Sequence, residues 1–176
     1  MKRKTLPLIL LSLLLLTTAR AAVVLRLELP QLVQRAERVV VARLVKTGPS
    51  FWRGTRIFTS YTFAVERQVA GGGSRQLVVI QPGGQVDGLK QVVSGYPGFE
   101  PGRRLLLFLD RAGSAWRVVG LSQGVFVAAE RAGHQVWRQR LEGVSSPRGA
   151  LQPLEIDARE GLERIGRLWR ERKARP

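Results

Sequence analysis

The most regular alternation of hydrophobic and polar positions lies between Ile57 and Glu66. Every second residue of this segment would face one side of an extended chain, namely Ile57, Thr59, Tyr61, Phe63 and Val65. A period of two is typical of a β-strand with one buried face. Shorter apolar runs between clusters of glycine and proline predict further strands at residues 23–27, 39–46, 77–80, 92–93, 105–109, 116–119, 125–130 and 135–141.

Two segments have the apolar spacing of a helix instead. Leu29, Leu32, Val33 and Ala36 recur at i, i+3, i+4 and i+7, which predicts a short helix over residues 30–38. A second, amphipathic helix is predicted near the C-terminus, with Asp157 as its N-cap and a basic run at residues 167–175. Its apolar positions are Ile156, Leu162, Ile165, Leu168 and Trp169.

This succession of elements predicts an all-β fold, a small OB-like barrel flanked by an N-terminal and a C-terminal helix. Closure into a barrel would leave no free strand edge, and a two-sheet sandwich is the alternative. The predicted organisation is a signal peptide at residues 1–21, the β-barrel domain with its N-terminal helix at 22–142, and a linker with a basic C-terminal helix at 143–176.

The first 21 residues have the order of an export signal. A basic start, Lys2-Arg3-Lys4, precedes an apolar run at residues 6–16, and Ala19-Arg20-Ala21 provides the small residues that signal peptidase requires. The apolar run is shorter than the roughly 20 residues of a membrane span. We therefore predict an exported protein, periplasmic or secreted, cleaved after Ala21 and left without a transmembrane segment. An uncleaved anchor and a buried core helix are the alternatives.

Composition adds two constraints. The 176-residue chain has no cysteine, which excludes disulfides and thiolate metal sites, and its formal net charge is +16. Such a charge could attract a polyanion, either a nucleic acid or an acidic glycan. The basic residues are almost all arginines and are scattered along the chain, so an arginine-rich composition without polyanion binding is the favoured interpretation.

Candidate catalytic chemistry is sparse. Gly120-Leu121-Ser122-Gln123-Gly124 matches G-x-S-x-G, the nucleophile motif of serine hydrolases, but a strand rather than a helix is predicted to follow it. His134 is the only histidine and falls in a predicted hairpin turn. Acidic residues are dispersed. The sequence therefore predicts no enzyme, no metal site and no cofactor.

Aromatic and arginine residues beside predicted turns form the candidate binding site: Phe51, Trp52, Arg53, Tyr96 and Arg103. Aromatic rings can stack on a ligand, and arginines can support such an edge by cation–π contacts. The alternative is that the aromatic rings close the ends of the barrel as part of its core.

The order of several segments also resembles known proteins over residues 29–128. VVVARLV, SYTFAVERQVAGG, QLVVIQPGG, VSGYPGFEPGRRLLLFLD and WRVVGLSQGVF follow one another. This order resembles a group of uncharacterised exported bacterial proteins. It is also similar to the netrin-like domain of the tissue inhibitors of metalloproteinases, at positions such as Ala42, Gly71, Gly102 and Phe108. The second resemblance implies a netrin-like barrel of OB type. Those inhibitors act through an N-terminal cysteine, which this chain lacks.

Together these features predict an exported, non-enzymatic binding module of the cell envelope or the secreted fraction. Its expected partner is an envelope protein or a glycan, because OB-type barrels present grooves and loops to their ligands. The alternative is a protein that binds a polyanion through its basic surface.

Overall fold

The computed structural model describes residues 21–147 and 149–174, so the predicted signal peptide lies outside the described residues except for Ala21. The fold is mostly β, with two α-helices. In chain order the elements are β1 (Ala22–Val23), α1 (Leu29–Arg35), β2 (Arg38–Arg53), β3 (Arg56–Ala70), β4 (Gln76–Pro82), β5 (Gly84–Val86), β6 (Leu89–Gln91), β7 (Arg104–Ala112), β8 (Ala115–Val118), β9 (Val125–Arg131), β10 (His134–Gln139), β11 (Val144–Ser145), β12 (Glu155–Asp157) and α2 (Glu160–Ala174).

Eight of the strands form one sheet in the order β12-β10-β9-β7-β2-β3-β4-β8. Strand β8 pairs with β7 as well, so the far edge of the sheet curls back toward its centre. The link between β4 and β8 is parallel and consists of one residue pair, Val79 and Trp116. This seam is too short to close the sheet into a complete barrel. Strands β1 with β11, and β5 with β6, form two small separate sheets.

Strands β2 and β7 lie at the centre of the molecule and are buried on both faces where they pair. Their sequences there are continuous apolar runs, Val39 to Ala42 and Leu105 to Leu109, rather than alternating ones. Burial on both faces explains such runs. One face packs on a cluster inside the curl of the sheet, which includes Phe63, Val79 and Trp116.

The opposite face of β2 and β7 is covered by the two helices. Leu32 of α1 and Ile165 of α2 share one cluster with Phe108 of β7, and the helices contact each other. Arg172 holds them together, because its Nη1 donates to the carbonyl oxygens of Val33, at 3.0 Å, and of Ala36. Neither helix of the described residues is long and apolar enough to span a bilayer.

Helix α2 begins where the sequence predicts its cap. The Oδ1 atom of Asp157 accepts hydrogen bonds from the backbone N–H groups of Arg159 and Glu160, at 2.7 and 2.8 Å. These two bonds lower the pKa of Asp157 below its usual range, and the bond from Glu160 has the larger effect. Asp157 therefore makes the predicted capping bonds, although the helix itself begins at Glu160, and Ile156 and Asp157 belong to strand β12.

Several elements differ from the sequence-based prediction, among them the strand predicted at residues 23–27, which is only Ala22–Val23. Helix α1 ends at Arg35, since the N–H of Glu37 already donates to the carbonyl of Leu109 at 2.7 Å and draws the chain into the sheet. Strand β2 continues past residue 46 to Arg53, and the last of its four register shifts against β3, between Thr47 and Ser50, accommodates Gly48 and Pro49. The predicted strand at residues 92–93 is wrong, because β6 ends at Gln91 and Val92 is exposed.

Candidate functional site

An open groove lies beside the β2–β3 hairpin, with a volume of about 460 Å³. We call it the Tyr96 groove. Strands β3 and β4 provide one wall, and the β5–β6 hairpin with the following loop provides the other. Its lining includes Tyr61, Gln81, Gly84, Val92, Tyr96 and Pro97.

Close packing holds the β5–β6 hairpin against the β2–β3 hairpin. The hydroxyls of Ser50 and Thr59 lie 2.9 Å apart, and Thr59 donates to the carbonyl of Gly83 at 2.8 Å. A Cβ atom at Gly84 would lie 2.2 Å from the Ser50 hydroxyl oxygen. Only glycine therefore permits this approach, which fixes the floor of the groove.

Gln81 supplies the most informative polar group of the groove. It is 3% exposed, and its Nε2 atom has no hydrogen-bond partner among the described residues. A buried amide donor without a partner costs roughly 1–3 kcal/mol, so its retention needs an explanation. Because Nε2 is itself buried, a ligand oxygen in the groove would satisfy it once the adjacent wall moves aside.

Two tyrosines contribute half-buried rings to the same groove. Tyr61 packs edge-on against Phe99 with a centroid distance of 5.0 Å, which fixes its ring. Burial raises the pKa of Tyr61, against a smaller opposite effect of its hydrogen bond with Thr59. Burial also raises the pKa of Tyr96, although the charges of Arg117 and Arg56 oppose this. Both phenols therefore stay protonated at neutral pH and can donate as well as accept hydrogen bonds.

The residues predicted from sequence fall in two places. Phe51, Trp52 and Arg53 end strand β2 at the tip of its hairpin with β3. Phe51 and Trp52 are 37% and 44% exposed, and Phe51 stacks on Phe58 with a centroid distance of 6.3 Å. Trp52 pairs with Ile57, so the two aromatic residues face opposite sides of the hairpin.

Tyr96 lies in the groove itself, whereas Arg103 lies elsewhere. Arg103 forms an ion pair with Glu100 at 2.6 Å, and its neighbour Gly102 donates to the carbonyl of Leu44 at 3.2 Å. Phe51 lies seven positions after Leu44 on β2, roughly 20 Å along an extended strand. The five residues therefore do not form one surface.

Sequence reasoning missed Gln81 and Tyr61. The alternation in β3 predicts Tyr61 on the buried face, where it packs against the core. Only the loop at residues 92–98 makes this position part of a groove. The only signal for Gln81 was a polar residue at the end of an apolar strand, directly before Pro82-Gly83-Gly84.

The G-x-S-x-G motif forms a short 3-10 helix, Leu121–Gly124, between β8 and β9. Ser122 is fully buried within it. Gln139 of β10 donates to the carbonyl of Gln123, while His134 begins the same strand. The histidine therefore lies roughly 17 Å along the strand from the serine turn, too far for the hydrogen bond that activates a nucleophile. Within residues 21–147 and 149–174, no three potential metal ligands cluster.

No protein-family model matches this chain, and neither a curated protein nor a solved structure matches it significantly.

Proposed function

We propose that the protein is an exported, non-enzymatic binding module whose ligand binds in the Tyr96 groove. The buried, unpartnered amide of Gln81 at the wall of an open groove supports this proposal. An unsatisfied donor weakens the folded protein, and a donor that a ligand completes contributes to affinity and specificity instead.

The architecture proposed with this function is a partly open barrel of OB or netrin-like type, flanked by the two helices. The pairing circuit supports it, because β2, β3, β4, β8 and β7 each contact the next and β7 returns to β2. The OB fold is a partly open, five-stranded barrel that binds ligands with its sheet face and loops.

The residues that line the groove indicate which chemical groups its ligand carries. Gln81 requires an acceptor oxygen, and the rings of Tyr61 and Tyr96 suit an apolar or sugar-ring face beside hydroxyl groups. Val92 is 80% exposed and adds apolar surface at the rim. Glycans and extended peptides both combine such oxygens with apolar faces, which agrees with an envelope protein or glycan as partner.

Replacing Gln81 by leucine is expected to weaken ligand binding about tenfold without loss of stability, because the change removes a hydrogen-bond donor worth about 1–1.5 kcal/mol. The free energy of unfolding should stay constant or rise, since a desolvated donor disappears. The exported protein and the Gln81 variant are each immobilised, and the amount of material that each retains from an envelope extract is measured. Half of the extract is digested with protease and half with glycan hydrolases, which separates the two ligand classes.

Gln135→Leu is the matched control, because Gln135 is exposed on β10 and does not line the groove. It should retain the ligand as the unmodified protein does. Equal retention by the Gln81 variant, or equal loss in both variants, would reject the groove as the binding site.

A second candidate function is polyanion binding. The exposed residues Arg164, Arg167 and Arg170 follow one another at a spacing of three along α2, and none forms an ion pair within the described part of the chain. Heparin retention over a salt series separates the two functions, since the logarithm of polyanion affinity falls linearly with the logarithm of salt concentration. We expect weak retention that ends near physiological salt. Strong retention that the triple glutamine variant abolishes would favour the polyanion function.

Export is part of the proposal, and its support is the pattern of the first 21 residues. Cleavage should produce a mature protein that begins at Ala22. N-terminal sequencing of the protein from the periplasm or the culture medium measures this directly, and an intact chain in the membrane fraction would contradict it.

A further inference from the structure

Arg38 is the bulkiest of the fully buried side chains among the described residues. It begins strand β2 and is 1% exposed. Its Nε and Nη2 atoms donate to Oε1 of Gln68 at 3.1 and 2.8 Å, and Nη2 donates to the carbonyl of Ser74 at 2.7 Å. These acceptors are neutral, so they satisfy hydrogen bonds without balancing the charge.

No carboxylate balances the positive charge of Arg38 either. Arg38 belongs to no ion pair among the residues that the structure describes. The adjacent acid, Glu37, accepts a hydrogen bond from the backbone N–H of Arg111 at 3.1 Å. Buried charges in proteins are ordinarily paired or bound to an ion, because an isolated one is strongly destabilising.

A second arginine increases the local positive charge. The guanidinium carbon of Arg111 lies 4.1 Å from the ring centroid of Trp116, and that of Arg38 lies 5.7 Å from the same centroid. Burial, and then the charge of Arg111, lower the pKa of Arg38 from its ordinary value. The two like charges therefore lie near the same ring and repel each other, and an anion that contacts both would relieve this repulsion.

Both arginines line one cavity of about 290 Å³ where the β3–β4 loop meets the β7–β8 turn. Ser114 adds a hydroxyl to the lining, and the cavity adjoins the short seam between β4 and β8. A Cβ atom at Gly73 would lie 2.7 Å from Nη1 of Arg38. Glycine at this position therefore leaves room for the guanidinium at the cavity wall.

We infer that this cavity, the Arg38–Arg111 pocket, is a binding site for a phosphate group. Two guanidinium groups match the charge of a phosphate monoester and can bind its oxygens with paired N–H groups. The volume suits one phosphate with a small substituent. The pocket shares no lining residue with the Tyr96 groove, so this inference does not rest on the proposed function.

Titration calorimetry of the exported protein tests the site with inorganic phosphate, glycerol phosphate and acetate at constant ionic strength. The unmodified protein should bind one phosphate saturably and acetate more weakly. Arg111→Gln should bind phosphate about tenfold more weakly, because one pair of charge-assisted hydrogen bonds is lost. Arg111 is exposed, so the variant should fold, and circular dichroism verifies this.

Arg131→Gln is the matched control. Arg131 is likewise an exposed arginine at the end of a hairpin strand, and its loss changes the net charge equally. It should bind phosphate as the unmodified protein does. Absence of saturable phosphate binding, equal weakening in both variants, or tighter binding of acetate would each overturn the inference.

Vesicles identify the source of the phosphate group. Phosphatidic acid vesicles that retain the unmodified protein but not Arg111→Gln, with phosphatidylcholine vesicles retaining neither, would assign a lipid headgroup. Saturable binding of glycerol phosphate without vesicle retention would assign a soluble phosphate ester. Either result supports a phosphate site.

Discussion

Replacement of Ile165 by alanine is expected to lower the free energy of unfolding by about 2–5 kcal/mol, the usual cost of truncating a large aliphatic side chain in a core. Ile165 is 0% exposed and lies in the cluster that joins α1 and α2 to β2, β7 and β9. The cavity left by the truncation would separate the two helices from the sheet. Urea unfolding of the exported protein, followed by tryptophan fluorescence, measures the difference.

Arg164→Ala serves as its control, because Arg164 is the exposed neighbour on the same turn of helix. A surface substitution of this kind changes stability by no more than about 0.5 kcal/mol. A loss below about 1 kcal/mol for the Ile165 variant would show that α2 packs too loosely to belong to the core.

This expectation affects how the basic C-terminal helix is interpreted. The sequence predicts an amphipathic helix that ends in a basic run. In the structure its apolar face completes the core, and Arg172 binds it to the end of α1. A test of polyanion binding must therefore leave Arg172 in place. Otherwise a loss of binding could result from a loosened core rather than from a missing charge.

The long strands were predictable from sequence because their signal is local, whereas the short strands β5, β6, β11 and β12 were not predicted. Alternation of apolar and polar residues identified β3. Continuous apolar runs identified the centres of β2 and β7, where both faces are buried and no polar residue alternates with the apolar ones. Pairing is not local. Nothing in the Trp116 segment indicates that β8 contacts β4 as well as β7, because alternation identifies the face of a residue and not the neighbouring strand.

The candidate sites were less predictable for the same reason. Both depend on polar side chains that are buried only after distant segments meet, Gln81 under the β5–β6 hairpin and Arg38 under the β3–β4 loop. In sequence, Arg38 is one of many arginines. The aromatic residues near turns were easier to notice, yet only Tyr96 lines the groove.

Replacing Gly124 by alanine is expected to destabilise the protein by about 3 kcal/mol, at the upper end of the usual cost of overpacking. A Cβ atom at this position would lie 2.4 Å from the carbonyl oxygen of Val119 and 3.1 Å from that of Phe108. Both obstacles are backbone atoms of the core, which cannot turn aside as a flexible side chain can. Thermal and urea unfolding both detect a loss of this size.

Ser122→Ala separates this structural interpretation of G-x-S-x-G from a catalytic one. The Ser122 hydroxyl is buried without a hydrogen-bond partner among the described residues, so its removal should leave stability unchanged or raise it by about 1 kcal/mol. If the motif were a nucleophile elbow, the serine would be essential for a hydrolytic activity. We expect Gly124→Ala to harm the protein more than Ser122→Ala does. The motif positions Gly124 against the backbone of Val119 and leaves the serine facing the core. A hydrolytic activity that Ser122→Ala abolishes in a folded protein would disprove this account.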